Sequence, residues 1–344
     1  MPKRRVGLAG AGWVAPHHLK AWQRLRDRAA VVAIADPDVE AARARATAFG
    51  VPGVYASVEA MLEAAQLEVI DVASSRETHG PICRLAADHG LAILCQKPLA
   101  PTFDEAASLA ADVGPRVRLM VHDNWRFRPH YRCIAGWLGE GRIGEIRTAT
   151  MTLLTSGLIA DASGRAPAIE RQPMFATLER LLVMEVLIHH VDTLRFLLGP
   201  LTLHGSAIGR SCPLVRGEDR ASMFMTTAAG AAVTVIGDFM AQGHQPTLED
   251  RFEILGTTGA ILLEGDRLRL IRAGQVEDVA LDLAANYDAS YLGALTHFLD
   301  RLDDGNAFET SPEDNLETLR IVEQVYAAPH REAASVASAP KRDD

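Results

Sequence analysis

The chain has 344 residues, a length typical of about two domains. Its 35 basic and 44 acidic residues give a net charge of −9 at pH 7, which argues against nucleic acid as the main partner because phosphate contacts need a basic surface. Hydrophobic residues make up 48% and charged residues 23% of the chain, proportions typical of a globular protein and not of a disordered one.

Membrane, secretory and metal-binding signals are missing from the sequence. Apolar runs stay shorter than the roughly 18 residues needed to span a membrane, and the first residues lack the long apolar stretch of a signal peptide. The four cysteines form no CxxC pair and have no metal-like spacing with histidine. We therefore expect a cytoplasmic protein with reduced thiols, without a structural metal, and without a membrane or nucleic-acid partner.

Short apolar runs alternate with helical patterns over residues 1–122, as a parallel sheet flanked by helices requires. The predicted strands read as continuous apolar runs, which is typical of strands buried on both faces; they cover residues 5–9, 31–35, 69–73, 91–95 and 117–121. Segments with helical spacing lie between them, at residues 39–49, 58–65, 81–89 and 103–113. These elements predict a first domain of the α/β class with a doubly wound parallel sheet.

A second domain is predicted over residues 123–330, where the composition changes. Segments rich in Thr, Val, Ile, Met and Phe are typical of a largely antiparallel sheet; they cover residues 147–155, 222–227, 232–240 and 252–263. Helices are predicted over residues 178–198, ending at Gly199-Pro200, and over residues 292–303 and 315–327. The small and polar residues 331–344 are predicted to be disordered.

A dinucleotide-binding loop is predicted directly after the first strand. Residues 10–15 form a GxGxxA sequence, in which Gly10 permits a tight turn and Gly12 lets the main chain approach a pyrophosphate. The second strand ends in Asp36, whose carboxylate can accept hydrogen bonds from both ribose hydroxyls and would repel a 2′-phosphate. The pattern favours NAD over NADP as the cofactor. The alternative is a glycine-rich turn followed by a helix-capping aspartate.

Lys97 follows the predicted strand 91–95 and is the only lysine between residues 21 and 340. Ligands of an open parallel sheet bind outside the carboxyl ends of its strands, so we expect this amine to face a cleft. A partly desolvated lysine beside a nicotinamide can exchange a proton near physiological pH, which arginine cannot do. The alternative is an ordinary surface ion pair.

Glu185, His189 and Asp192 form a polar stripe on a helical segment that is otherwise apolar on nearly every side. The spacing i, i+4, i+7 sets these residues within roughly 60° of one another on an α-helix. The stripe predicts a buried helix bordering a cleft, with Glu185 orienting His189 for general acid–base catalysis. The alternative is a Glu–His pair whose two side chains hydrogen-bond to each other within the core or at a subunit interface.

These three features, in this order, resemble the Gfo/Idh/MocA family of nicotinamide-dependent dehydrogenases. Gln96-Lys97-Pro98 is similar to the family's Glu-Lys-Pro segment, residues 124–127 to its Asn-x-Arg-Phe segment, and residues 185–192 to its Asp-x-Gly-x-His-x-x-Asp helix. The resemblance runs from residue 6 to about residue 327. It implies an N-terminal Rossmann domain joined to a C-terminal α/β domain with an open, mostly antiparallel sheet.

The resemblance also implies a set of site residues. Contacts to NAD are expected from Gly10, Gly12, Trp13, Val14, Asp36, Ser74, His79, Gln96 and Lys97. Contacts to the substrate are expected from Lys97, Asn124, Arg126, Arg171, Glu185 and His189, among which Lys97, Glu185 and His189 are the expected catalytic residues. Apart from the resemblance, Arg128 and Arg132 are expected on the solvated surface, with donation to a polar ligand as the alternative. Tyr287 and Tyr291 are expected to precede a helix, and a contact to substrate stays an open alternative for them.

Several positions depart from the family pattern: Gln96 stands for Glu, Glu185 for Asp and Leu187 for Gly, and residues 74–79 differ from the family's Thr-Pro-Asn-His type of turn. These departures predict a reshaped cleft. Other details, such as Arg171-Gln172-Pro173-x-Phe175, resemble the sugar-oxidising branch of the family that includes D-apiose dehydrogenases.

The function expected from the sequence is an NAD-dependent dehydrogenase that oxidises a hydroxyl of a sugar or polyol, giving a lactone if the hydroxyl is anomeric. One alternative is a non-catalytic regulator that binds a dinucleotide and a sugar. Another is an NAD-assisted glycosidase or epimerase. The open sheet of the second domain predicts a homodimer or homotetramer.

Overall fold

The computed structural model describes residues 3–328, which contain two β-sheets with helices packed against them. The predicted disorder of residues 331–344 lies outside the described residues. None of the helices in this part of the chain combines the length and the hydropathy that a membrane span requires.

The first sheet is parallel throughout and confirms the predicted doubly wound architecture. Its strands in the described residues are β1 (Arg4–Ala9), β2 (Ala29–Ala35), β3 (Gly53–Tyr55), β4 (Val69–Val72), β5 (Ala92–Gln96) and β6 (Leu119–His122). Their spatial order is β3-β2-β1-β4-β5-β6. The connecting helices are α1 (Ala15–Arg24), α2 (Val39–Phe49), α3 (Val58–Ala64), α4 (Arg76–Asp88) and α5 (Phe103–Val113).

Two elements of this domain differ from the prediction. The sequence does not predict β3, because three half-buried residues are too few to show a strand pattern. Helix α4 begins at Arg76 instead of residue 81. Proline is favoured in the first turn of a helix, which points to the later start, but Pro81 lies inside α4.

The second sheet is mostly antiparallel, as predicted; β7 pairs with β10 in parallel, and the other neighbouring strands run antiparallel. Within the described residues its strands are β7 (Ile146–Leu154), β8 (Leu201–Gly209), β9 (Arg220–Thr227), β10 (Ala232–Asp238), β11 (Asp250–Gly256), β12 (Gly259–Glu264), β13 (Arg267–Arg272) and β14 (Gln275–Ala280). They lie in the order β14-β13-β12-β11-β7-β10-β9-β8. The predicted segment 252–263 therefore holds parts of two strands.

The second half of the chain forms five α-helices within the described residues, two of which pack on the first domain. They are α6 (Pro129–Gly139), α7 (Pro167–Arg171), α8 (Ile188–Leu198), α9 (Leu283–Asp304) and α10 (Pro312–Ala327). Although the sequence assigns α9 and α10 to the second domain, α9 packs against α1 and α10 against α5 of the first domain. Helix α9 also begins at Leu283 instead of residue 292, so Tyr287 and Tyr291 lie on it.

The helix predicted over residues 178–198 begins later than expected. Its first part is a π-helical turn, Leu182–Leu187, which leads directly into α8. The buried carboxylate of Glu218 accepts hydrogen bonds from the main-chain N–H groups of Leu181 (3.3 Å) and Val183 (2.9 Å) and fixes this start. Because Glu218 is remote in sequence, no local pattern signals where the helix begins.

The second sheet has one covered and one open face. Alternate side chains such as Met151, Val235 and Phe252 are fully buried in the core. On neighbouring positions that face the other way, Phe224 is 47% exposed and Leu255 is 42% exposed. The open face expected from the Thr/Met/Val alternation is therefore present.

Candidate functional site

A cavity of about 1390 Å³ lies between the two domains, beyond the carboxyl ends of the parallel strands. It is lined by every predicted cofactor contact and by every predicted substrate contact except Arg126. These lining residues are Gly10, Gly12, Trp13, Val14, Asp36, Ser74, His79, Gln96, Lys97, Asn124, Arg171, Glu185 and His189. Sites for small ligands usually measure about 300–1,000 Å³, so this cavity has room for a dinucleotide and a second small molecule.

The end of the cavity near β1 and β2 is formed largely by main chain. Gly10 has φ = +108°, and a Cβ there would lie 2.6 Å from the carbonyl oxygen of Ala73, so only glycine fits. A Cβ on Gly12 would meet nothing within 4 Å, so the main chain here borders open space. No side chain caps α1, which leaves N–H groups of its first turn free for an anion. This end fits a dinucleotide pyrophosphate.

Asp36 lies at the carboxyl end of β2 and is held by the same loop. Its Oδ2 accepts a hydrogen bond from the main-chain N–H of Ala11 (2.7 Å), and its Oδ1 accepts one from that of Asp38 (2.8 Å). These bonds fix the carboxylate at the cavity wall, where its remaining lone pairs can accept hydrogen bonds from ribose hydroxyls.

Lys97 follows β5 and crosses the domain boundary to reach Glu185. Its Nζ donates a hydrogen bond to the main-chain oxygen of Glu185 (2.8 Å) and lies 3.5 Å from the carboxylate Oε2. Arg76, at the start of α4, donates to the other carboxylate oxygen of Glu185 (2.5 Å). The ion pair considered as an alternative for Lys97 thus exists, but it lies on the cavity wall and not on the open surface.

Asp123, and not Glu185, orients His189. The imidazole Nδ1 lies 2.7 Å from Asp123 Oδ1, and both side chains are buried. The ring also stacks on the indole of Trp125, with centroids 4.7 Å apart and planes 3° from parallel. The prediction that Glu185 orients His189 is therefore wrong. Asp123 follows β6 directly, so the strand-end rule that identified Lys97 would also have found it.

The environment of this Asp–His pair fixes its proton arrangement. Burial, together with the positive charges of Lys97 and Arg128, lowers the pKa of His189 well below its ordinary value. Burial raises the pKa of Asp123 to about 6. At neutral pH the imidazole is therefore uncharged, with Nδ1–H donating to the Asp123 carboxylate. Its Nε2 is left as a hydrogen-bond acceptor, the form that a general base requires.

Arg126 and Asp192 lie behind the cavity. Arg126 Nε donates to Asp192 (2.7 Å) and Nη2 donates to Asp314 (2.7 Å), with 3% of the arginine exposed. Arg126 was predicted to contact substrate, and this prediction is wrong because its donors hold α8 and α10 together. The i, i+4, i+7 argument fails for a physical reason: Glu185 lies in a π-helical turn, which holds more residues per turn than an α-helix and so does not keep α-helical faces.

Gln96 and His79 border the cavity, but protein groups occupy their polar atoms. Gln96 Nε2 donates to ring nitrogens of His18 (2.8 Å) and His122 (3.0 Å), and its Oε1 accepts from the N–H of Lys97 (3.1 Å). His79 lies between the carbonyl oxygens of Pro98 (2.9 Å) and Ser74 (3.2 Å). Both residues are thus suited to shaping the cofactor end of the cavity, with few polar atoms left for a ligand.

Sequence reasoning missed several cavity residues. Arg128, expected on the surface, lines the cavity and donates to Asp250 (3.2 Å), and its guanidinium lies 3.8 Å from the Trp125 ring centroid. Tyr287 and Tyr291 line the cavity from α9, with their hydroxyls 3.2 Å apart. The only signal in the sequence was that Arg128 directly follows the Asn-x-Arg-Phe segment. That position does not show whether its side chain points towards the cavity.

Comparison with known proteins gives matches over nearly the whole chain. The family model for the oxidoreductase family with an NAD-binding Rossmann fold (GFO_IDH_MocA) matches residues 4–116, and the GFO/IDH/MocA C-terminal domain model matches residues 131–262. A D-apiose dehydrogenase of Paraburkholderia graminis is 32% identical over 331 residues, covering 93% of this chain and 86% of that protein. An inositol 2-dehydrogenase of Rhizobium meliloti is 27% identical, covering 93% of this chain and 94% of that protein.

Among solved structures, an oxidoreductase from Agrobacterium radiobacter in complex with NAD⁺, L-tartaric acid and magnesium superposes with a TM-score of 0.87. It is 26% identical, and the match covers 94% of this chain and 96% of that one.

Proposed function

The chain belongs to the Gfo/Idh/MocA family of NAD-binding oxidoreductases, and we propose that it oxidises a hydroxyl group of a sugar or polyol. The observation that carries the proposal is the joint position of Lys97 and the Asp123–His189 pair on the wall of a cavity that begins at a dinucleotide loop. The named activities of the D-apiose and inositol dehydrogenases support the same substrate class. We further propose a cytoplasmic location, on the sequence grounds given above.

NAD fits the first half of the cavity. Gly10 and Gly12 let the main chain approach the pyrophosphate, and Asp36 accepts hydrogen bonds from the ribose. A 2′-phosphate would meet the Asp36 carboxylate, so NADP is disfavoured. The solved relative that contains NAD⁺ supports this choice. When bound, NAD supplies the hydride acceptor for the oxidation.

His189 and Lys97 have different roles at the substrate hydroxyl. Nε2 of His189 takes the hydroxyl proton, and Asp123 stabilises the imidazolium that forms, because its carboxylate already holds Nδ1–H. Lys97 donates to Glu185, which leaves donor capacity on its ammonium for the substrate oxygen. Glu185 thus positions Lys97, and the pair Asp123–His189 acts as the base.

Formation of NADH tests this proposal directly. Wild-type protein with a panel of aldoses and polyols is expected to produce NADH from NAD, and more slowly NADPH from NADP. Lys97→Met and His189→Ala are each expected to lower kcat by about 10²-fold or more. Lys20→Met is the matched control, since Lys20 is 55% exposed and does not line the cavity.

The outcomes separate the alternatives. Failure to bind NAD in calorimetry, or undiminished turnover of both Lys97→Met and His189→Ala, would rule the proposal out. Product without net NADH would indicate transient oxidation, as in an NAD-assisted glycosidase or epimerase. Binding of NAD and sugar without any product would indicate a regulator.

We also propose a homodimer or homotetramer formed through the open face of the second sheet. Phe224 (47% exposed), Ile236 (37%) and Leu255 (42%) lie on β9, β10 and β11 of this face, and exposed apolar residues of this kind are typical of a protein interface. Light scattering is expected to give at least twice the 37.2 kDa chain mass. Phe224→Arg is expected to shift the protein towards the monomer, and a monomeric wild type would refute this assembly.

A further inference from the structure

Four residues on the cavity wall each carry a buried polar atom that has no hydrogen-bond partner among the described residues. Nη2 of Arg171, Nδ2 of Asn286, Nε of Arg128 and both ring nitrogens of His130 are buried without a hydrogen bond. All four residues line the cavity, and we refer to them as the donor cluster. Buried polar groups in folded proteins are normally hydrogen-bonded, so this concentration of unpaired polar atoms in residues of one cavity wall indicates a ligand site.

Two members of the donor cluster, Arg128 and Arg171, lie near Tyr287. Arg128 and His130 lie at the start of α6, Arg171 ends α7, and Asn286 precedes Tyr287 on α9. The Arg128 guanidinium is 5.7 Å from the Tyr287 ring centroid, and the charges of Arg128 and Arg171 both act on the tyrosine hydroxyl. The cluster thus combines residues of three separate elements on one cavity wall.

Arg171 carries a positive charge that no carboxylate of the described residues balances. Arg76 and Lys97 share Glu185, and Arg128 pairs with Asp250, whereas Arg171 forms neither an ion pair nor a hydrogen bond within residues 3–328. Burial lowers the pKa of Arg171, which shows that its charge is partly removed from water. An uncompensated charge of this kind favours an anion.

His130 adds a neutral donor to this charge. Its side chain is 3% exposed, and burial, with the charge of Arg128, lowers its pKa to about 4. At neutral pH the imidazole therefore carries one N–H and no charge. The cluster thus contains one uncompensated cation, Arg171, and a His130 that is uncharged at neutral pH.

We infer that the substrate carries a carboxylate and that the guanidinium of Arg171 binds it. Guanidinium and amide nitrogen only donate, and a carboxylate only accepts, whereas a sugar hydroxyl does both. Lys97 and His189 take the reacting hydroxyl, so the substrate class is a polyhydroxy acid of the aldonate type. This inference rests on the proposed dehydrogenase function.

Matched aldonate–alditol pairs test the inference, because the two members differ only in a carboxylate. The pairs are D-gluconate with D-glucitol, D-galactonate with galactitol, and D-xylonate with xylitol. The variants are Arg171→Gln, Arg171→Lys and the control Arg165→Gln, whose arginine is 66% exposed, pairs with Asp161 and lies outside the cavity lining. Each is measured by NADH formation and by thermal stabilisation in the presence of saturating NADH.

Wild type is expected to prefer the aldonate of at least one pair by more than about 10-fold in kcat/KM, the effect of a charge-assisted hydrogen bond. Arg171→Gln should reduce that preference by about 10-fold or more, Arg171→Lys should restore part of it, and Arg165→Gln should keep it. Equal or better turnover of alditols and aldoses by wild type, or equal losses for both members of a pair in Arg171→Gln, would overturn the inference and leave the dehydrogenase proposal standing.

The stabilisation measurement separates failure of the inference from failure of the proposed function. If no compound yields NADH but aldonates raise the melting temperature in an Arg171-dependent way, the carboxylate subsite stands and the dehydrogenase activity does not. If neither turnover nor stabilisation distinguishes the aldonates, the carboxylate subsite is wrong.

Discussion

The two ends of the cavity are built by different means. The cofactor end relies on main chain: Gly10 and Gly12 shape the loop, and main-chain N–H groups hold Asp36. The substrate end relies on side chains from distant segments, such as Asp123 bonded to His189 and Lys97 bonded to Glu185. A site made by main chain needs a continuous motif, whereas a site made by side chains needs the tertiary fold. The cofactor end can therefore be predicted from the sequence, and the substrate end can be predicted only in part.

Replacing Asp123 with Asn should remove the catalytic base at the substrate end and leave NAD binding at the cofactor end intact. An amide can donate to Nδ1 and so favour the tautomer that carries a proton on Nε2, which removes the base. We expect kcat to fall by about 10²–10⁴-fold with little change in the affinity for NAD. Steady-state kinetics and NAD calorimetry measure the two effects separately.

Asp192→Asn is the matched control for Asp123→Asn. Burial raises the pKa of both aspartates to about 6, but Asp192 bonds to Arg126 outside the cavity lining. This control should lower the melting temperature, because it weakens the pairing of a buried arginine, and should change kcat only a few-fold. A loss of kcat as large as that of Asp123→Asn would contradict the distinct role of Asp123.

Replacing Asp36 with Ala breaks the cofactor end instead. The variant loses the acceptors for the ribose and the bond that holds the loop at Ala11. We expect KM for NAD to rise by about 10–100-fold, the range for hydrogen bonds to a charged group, and to rise more than kcat falls. The ratio of NADP to NAD turnover should also increase, since the carboxylate that repels a 2′-phosphate is gone. An unchanged KM for NAD would contradict the assignment.

The pH dependence of kcat/KM should be set by the Asp123–His189 pair at the substrate end. His189 acts in its neutral form, so activity is lost when the pair takes up a proton. Burial lowers the pKa of His189 below 6.5 and raises that of Asp123 to about 6, and the two groups titrate as a coupled pair. We expect kcat/KM to be level at neutral pH and to fall as the pH drops through about 6. A decline that begins above pH 7 would exclude this pair as the base.

The same contrast explains which parts of the molecule the sequence predicts. Strand-end positions and the glycine loop follow from continuous local patterns, so β1, Asp36 and Lys97 are found without a structure. The orientation of the helix that carries Glu185 does not follow from a local pattern, because a π-helical turn held by the distant Glu218 rotates that helix. From the sequence, Arg126 is predicted to bind a ligand. In the fold it forms ion pairs with Asp192 and Asp314 instead.

Among the substitutions of cavity residues, Glu185→Gln gives the smallest expected effect and tests the reassignment of that residue. The main-chain oxygen that accepts from Lys97 (2.8 Å) is retained, and only the ionic contacts with Arg76 and Lys97 are lost. If Glu185 positions Lys97 and does not orient His189, kcat should fall by roughly 10-fold at most, with the acid side of the pH profile unmoved. If Glu185 were the partner of His189, its loss would match that of Asp123→Asn and would shift the acid limb, so comparing the two pH profiles decides between the roles.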